Sequence, residues 1–260
     1  MGVVNVTPDS FSDGGRYFDA QAAISHALRL AEEGADILDI GGESSRPGAL
    51  PVSVQEELDR ILPVLEGLKD LAKPVSIDTR RPAVMQEALK AGASMINDID
   101  ALQAPGALEA VAKSGCAVCL MHKKGEPATM QQAPHYDDVL AEVAGFLKRK
   151  VEEAERAGIE RARIVIDPGF GFGKTLEHNL ALLRGLSSLG ELGLPVLAGW
   201  SRKSSLGKIT GRGAAARLPA SLAMALLCLQ AGARILRVHD VRETRDVVRV
   251  WEAVATMGTA

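Results

Sequence analysis

Short apolar runs of strand length recur along the chain, each parted from the next by a stretch of helical periodicity. They occupy 3–6, 37–40, 75–78, 95–99, 117–122, 164–167, 196–200 and 235–239. Each run is almost continuously apolar, the pattern of a strand covered on both faces. The intervening segments, for example 20–33, 54–71, 83–91 and 138–157, place apolar residues on one helical face. Gly34, Gly92, Gly115, Gly158, Gly193 and Gly232 fall where these helices should end, at the left-handed position that closes a helix without Cβ strain. Alternation of strand and helix implies parallel pairing. Eight units in 260 residues predict one (β/α)8 TIM barrel spanning 1–260, with its active site at the C-terminal ends of the strands. An open doubly wound sheet is the competing fold.

Composition narrows the partners. Lys and Arg total 30 against 33 Asp and Glu, a formal charge of −3, so no basic field draws the chain to nucleic acid or anionic lipid. The longest apolar stretch, 218–229, contains Pro219 and Ser221 and is shorter than the ~20 residues of a spanning helix. The first residues show no basic and apolar pair of regions typical of a secretory signal. Three cysteines are too few for a disulfide framework and fit a reducing compartment. Cys116 and Cys119 form a C-x-x-C within an apolar run. They read as buried thiols or as a redox or metal pair, and no second pair completes a zinc site. The expectation is a cytoplasmic protein that faces small molecules, with no membrane and no nucleic acid.

A barrel concentrates function where strands end. Polar residues cluster there: Asn5, Asp78, Asn97-Asp98, His122, Asp167, Ser201-Arg202-Lys203, and Arg237 with His239. A polar side chain inside an apolar strand is costly unless paired, and so many at one end are difficult to read as structural. The loop after strand 1, 5–15, is long for a βα connection and carries Phe11 and Asp13. The loop 41–48 joins glycines and hydroxyls to Arg46, a planar fork suited to anions. The segment 167–175 contains neither a P-loop nor a dinucleotide fingerprint, because Pro168 and Lys174 occupy required glycine positions. It reads instead as a glycine-flexed loop that sets Phe170 and Phe172 beside a carboxylate. The cations and hydroxyls of 201–205 open a predicted helix, an arrangement suited to anions. Arg237 and His239, two apart on strand 8, can converge on the same anion, although His239 alone also reads as a structural histidine. His26, His135 and His178 read as surface or structural groups.

With these segments in place, the chain resembles the dihydropteroate synthase family of pterin-binding TIM barrels. The matching segments are 1–15, 39–48, 75–79, 96–99, 167–174, 201–204 and 237–241, in order and over nearly the whole chain. The resemblance implies condensation of 6-hydroxymethyl-7,8-dihydropterin diphosphate with 4-aminobenzoate, giving 7,8-dihydropteroate and pyrophosphate by a dissociative, SN1-like displacement. It implies that Asp78, Asn97, Asp167 and Lys203 hold the pterin. Asn5 with Mg²⁺, Arg46, Arg237 and His239 would hold the diphosphate. Ser45, Pro47, Phe172, Lys203 and Ser204 would receive aminobenzoate. Phe11 and Asp13 would close over the site. Asp78, Lys203, Arg237 and His239 would carry the chemistry, and the assembly would be a homodimer.

Three departures stand out. Position 45 is Ser where Thr is common. Lys123-Lys124 is more basic than the small or apolar residues often found there. Strand 1 begins almost at Met1, without the lead that family members usually carry. Two rival functions share the fold: a methyltetrahydrofolate-dependent methyltransferase domain, and a pterin-binding barrel without synthase activity. The first has no need of the cationic grip of 201–203, Arg237 and His239, and the second should have lost one of Asn5, Arg46, Lys203 or Arg237, all of which are present.

Overall fold

The computed structural model describes residues 1–6, 16–44 and 51–256, with the side chains of 16–19 and 256 excepted. Strands β1 (Gly2–Asn5), β2 (Leu38–Gly41), β3 (Val75–Asp78), β4 (Met95–Asp98), β5 (Ala117–Met121) and β6 (Ile164–Asp167) pair in parallel in chain order. β7 (Leu197–Ala198) and β8 (Ile235–Leu236) form a further parallel pair. The bridges Ile166 to Val196 and Gly2 to Val238 join the two sheets at both seams, so the eight strands close. The predicted strands 7 and 8 are longer than those observed, although Arg237 N still bonds the Ala198 carbonyl and Val238 N the Met1 carbonyl, both at 3.0 Å.

Helices α1 (Arg16–Glu32), α2 (Val54–Gly67), α3 (Pro82–Lys90), α4 (Ala107–Ala112) and α5 (Val139–Arg156) follow the first five strands. α6 (Leu176–Arg184) and α7 (Leu186–Leu189) follow β6, α8 (Ser204–Thr210) and α9 (Leu218–Gln230) follow β7, and α10 (Val241–Thr256) follows β8. Local chemistry starts them where the sequence implies. The Ser53 hydroxyl accepts from Glu56 N at 3.1 Å, and Asp138 accepts from Leu140 N and Ala141 N at 2.9 and 3.0 Å. Of the six predicted helix-ending glycines, Gly115 is the exception: it does not take the positive φ the other five adopt.

Two distinct cores follow from the period of two along each strand. Val4, Leu38, Ile40, Ile77, Ile96, Val118, Leu120, Ile164 and Ile166 face the helices in the main core. Met1, Met95, Cys119, Val165 and Leu197 form a separate small cluster, joined by Ile37, Ala117 and Ile235. These alternate with the first set, so they fill the barrel interior. Two residues further along the same strand faces come Asp39, Asn97, Asp167, Gly199 and Arg237. An apolar plug therefore supports a polar layer, and that layer is the floor of the mouth.

Candidate active site

The polar layer is a bonded unit. Asp39 is fully buried, and its Oδ2 accepts from Arg237 Nε at 2.6 Å and from Asn97 Nδ2 at 3.1 Å. Asp78 Oδ2 accepts from Arg237 Nη2 at 2.7 Å. Across the mouth, Asp167 Oδ1 takes Gly169 N at 2.7 Å. Lys203 Nζ donates to the Phe170 carbonyl and stands 4.8 Å from the centre of the Phe172 ring. Three carboxylates, Asp39, Asp78 and Asp167, thus face two cations, Lys203 and Arg237.

Burial decides how these groups titrate. It pushes the Asp78 carboxyl up to about 7, against the pull of Arg237 and with repulsion from Asp39. Burial also raises Asp167, although Lys203 and the Gly169 N–H oppose it. Lys203 falls to about 8, its desolvation outweighing the attraction of Asp167. Burial works against the Arg237 charge as well, but Asp39 and Asp78 outweigh it and hold the guanidinium above its ordinary value. The floor sets three carboxyl groups against two cations and keeps both kinds of charge weakly held. It suits a ligand that brings N–H donors or develops cationic character.

The shape is set partly by missing side chains. A Cβ on Gly41 would meet Asp78 Cβ at 3.5 Å, and one on Gly199 would meet Arg237 Cβ at 3.7 Å and Lys203 Nζ at 3.9 Å. Both positions face the floor, where a Cβ would stand in ordinary contact with the charged groups, so bare backbone leaves that space unfilled.

The predicted residues separate by place. Asp78, Asn97, Asp167, Lys203 and Arg237 come together in one layer. Asn5, at the end of β1, registers with Gly41 beside Asp78. Ser204 opens α8 on the exposed side of Lys203, and Phe172 covers the Lys203 ammonium. Phe11, Asp13, Ser45, Arg46 and Pro47 lie outside the described residues.

Several expectations change. Arg237 and His239 take different protein partners: the Arg237 guanidinium binds Asp39 and Asp78, while His239 Nδ1 lies 2.9 Å from Ser201 Oγ. Arg202 is drawn aside by Asp240, with Nε to Oδ2 at 3.0 Å. Asp98 faces away from the mouth and takes Asp100 N and Leu102 N at 2.8 and 2.7 Å. His122 also leaves the mouth. Its ring lies edge-on to Phe146 at 5.0 Å and receives Lys174 Nζ at Nδ1 at 2.9 Å. Burial pushes His122 down to about 3, so it stays neutral and acts there as an acceptor. Lys123, of the basic pair that departs from the family pattern, pairs with Asp100 at 2.6 Å.

One residue of the floor escapes the reading of strand ends: Asp39, two residues short of the end of β2. An acid inside the apolar run 37–40 was its visible sign.

The comparisons with known proteins agree with the geometry. The family described as "Pterin binding enzyme" matches residues 1–239. The dihydropteroate synthase of Escherichia coli strain K12 is 50% identical over 254 residues, covering 97% of this chain and 90% of that protein. The enzyme of Neisseria meningitidis serogroup B is 52% identical over 261 residues, covering 98% and 92%. Among solved structures, Yersinia pestis dihydropteroate synthase with a sulfonamide drug superposes with a TM-score of 0.94 at 48% identity, covering 98% of this chain and 94% of that one. Xanthomonas albilineans dihydropteroate synthase with 4-aminobenzoic acid gives 0.93 at 56% identity, covering 98% and 92%. The chain belongs to the pterin-binding enzyme family, in the group of the dihydropteroate synthases.

Proposed function

We infer that the protein condenses 6-hydroxymethyl-7,8-dihydropterin diphosphate with 4-aminobenzoate to form 7,8-dihydropteroate and pyrophosphate. The observation that carries this reading is the acid-rich floor of Asp39, Asp78, Asn97, Asp167, Lys203 and Arg237, flanked by the bare backbone of Gly41 and Gly199. A pterin presents a guanidine-like N–H edge next to a carbonyl. Carboxylates accept from the first, an ammonium donates to the second, and an amide does either.

In this reading Asp78, Asn97, Asp167 and Lys203 orient the pterin. The partners of Arg237 favour a place at the seam between ring and diphosphate. His239, braced by Ser201, takes the diphosphate side, a role the family resemblance also assigns to Arg46. Phe172 and Ser204 form the aminobenzoate side, and the family resemblance assigns Ser45 and Pro47 to the same ligand.

The reaction breaks the C–O bond to the diphosphate and forms a C–N bond to the arylamine, which releases a proton. An aromatic amine is a weak nucleophile, and an electron-rich pterin delocalises a methylene cation, so bond breaking leads. The excess of carboxylates over cations in the floor favours that cation electrostatically. No strong base is required.

Asn5 is the residue we assign to Mg²⁺. Among the described residues no group of three or more His, Cys, Asp or Glu forms a metal cage. A single carboxamide oxygen fits an ion that keeps its waters and leans on substrate phosphates. When bound, Mg²⁺ supplies positive charge to the departing diphosphate.

We also read the protein as a single-domain cytoplasmic homodimer. Leu227, Val250 and Val254, 47%, 63% and 70% exposed, offer apolar surface to a second copy. No described helix is long and apolar enough to cross a membrane. Sedimentation at micromolar concentration should give two chains per particle, and one chain at every concentration contradicts the dimer.

Purified protein supplied with Mg²⁺ and both substrates should release pyrophosphate and dihydropteroate in equal amounts. Pterin binding without product would move the reading to a binding barrel, and methyl transfer to a corrinoid would move it to the methyltransferase group.

A further inference from the structure

We propose that Asp39 is a positioning residue of the pterin seat, holding Arg237 and Asn97 in place from within the barrel. The inference rests on the synthase reading above.

Asp39 sits on β2, yet its two bonds reach neither neighbouring strand. One crosses past β1 to Arg237, beyond β8, at 2.6 Å, and the other passes β3 to Asn97 on β4 at 3.1 Å. Side chains from alternate strands are how a barrel interior builds a layer. Here that layer is polar, and its hub is a carboxylate with no exposure.

A fully buried carboxylate is a poor choice for packing alone. Placing two opposite charges in a dry interior rarely stabilises a fold more than apolar residues of the same volume. The other Asp39 oxygen, Oδ1, finds no hydrogen-bond partner among the described residues, so the group is not even fully satisfied. What the arrangement does provide is orientation. Asp39 binds Nε of Arg237 and Asp78 binds Nη2, and two carboxylates on two different nitrogens fix both the position and the plane of the fork. The remaining N–H groups of Arg237 then face a ligand in a single geometry. Asn97, tied through Nδ2, has its carboxamide rotation settled by the same oxygen.

The electrostatic consequence differs from that of a packing residue. Asp78 is faced by Arg237 from β8, Asp39 from β2, Glu57 from α2 and Asp98 from β4, with Lys203 and Asp167 across the mouth. Of these, Asp39 is a like charge that keeps Asp78 protonated to higher pH. Removing it frees Arg237 to serve Asp78 alone. Both changes favour the Asp78 carboxylate.

The test is Asp39→Asn, which keeps the shape and removes the charge, with kcat and both KM values measured from about pH 5 to pH 9. The expected result is a KM for the pterin diphosphate raised about tenfold, with the KM for 4-aminobenzoate within about twofold of the parent. The acidic limb of kcat/KM should move down by about half a pH unit or more. A variant with a lower melting temperature and lower kcat, but an unmoved pterin KM and pH limb, has lost only structure and overturns the proposal. If Asp39→Asn does not fold, the charge-balanced double variant Asp39→Asn/Arg237→Met carries the test. It should stay within about threefold of Arg237→Met alone in pterin KM, because Arg237 carries most of the Asp39 effect and the Asn97 bond only the remainder. A further loss of about fivefold or more in the double variant overturns the proposal. Absence of turnover in the parent would instead count against the synthase reading, leaving the two failures distinguishable.

Discussion

Asp78 is where function and stability oppose one another. Burial holds its carboxyl near 7 rather than the ordinary 3.8, so the folded protein binds this proton more tightly than the unfolded chain does. The stability linked to the group is complete below the unfolded value and is lost as pH rises through the folded value. Asp78→Asn should therefore melt higher than the parent at pH 8. The difference should shrink below about pH 7 and vanish near 4, while pterin affinity falls at every pH. Scanning calorimetry across pH reads the first effect, and a parent that melts higher at pH 8 would contradict it. Lys203 stands in the same layer with a more direct task, one ammonium between Asp167, the Phe170 carbonyl and the Phe172 face. Lys203→Ala and Arg237→Ala should each lower turnover by about tenfold or more with circular dichroism unchanged. Parent-like rates in both would remove these groups from the site.

Among the elements, the loop after β6 does most to complete the pocket. Its glycines are required for different reasons. Gly169 has φ +68°, and a Cβ there would collide with the His122 carbonyl; at Gly173, φ +63°, a Cβ would collide with the Lys124 carbonyl. Lys174 then pins the loop from inside. It is 2% exposed, and its Nζ reaches the Gly169 and Phe172 carbonyls at 2.9 and 3.1 Å as well as His122 Nδ1. Gly169→Ala should cost about 2 kcal/mol or more of stability in urea unfolding, from backbone strain joined to a steric clash. Lys174→Met should cost about 2–4 kcal/mol by leaving buried acceptors unpaired, and should lower turnover because Phe172 is no longer held over Lys203. A Lys174→Met protein with parent stability would show that the loop holds its shape without the staple.

At the scale of the whole molecule, the barrel was legible because strand and helix periodicities alternate with little interruption along the chain. The floor was partly legible for the same reason. Polar residues ending apolar runs marked Asp78, Asn97, Asp167 and Arg237. Facing was harder to read. Asn97-Asp98 and Met121-His122 are adjacent pairs, and only the inward set of Met95, Cys119 and Val165 shows which member of each pair enters the barrel. Asp39 was hidden by its position, since attention to strand ends passes over a residue two short of the end of β2. The partners of Arg237 were hidden because they come from β2 and β3, far away in sequence and adjacent only once the barrel closes.

The account stands on one reaction at that closed mouth. The most direct measurement is the rate of dihydropteroate and pyrophosphate formation by parent and Lys203→Ala proteins, side by side, with Mg²⁺, the pterin diphosphate and 4-aminobenzoate. Equal amounts of both products from the parent, and about tenfold less or lower from a folded variant, are the predicted result. A parent that binds the pterin yet forms neither product would contradict it.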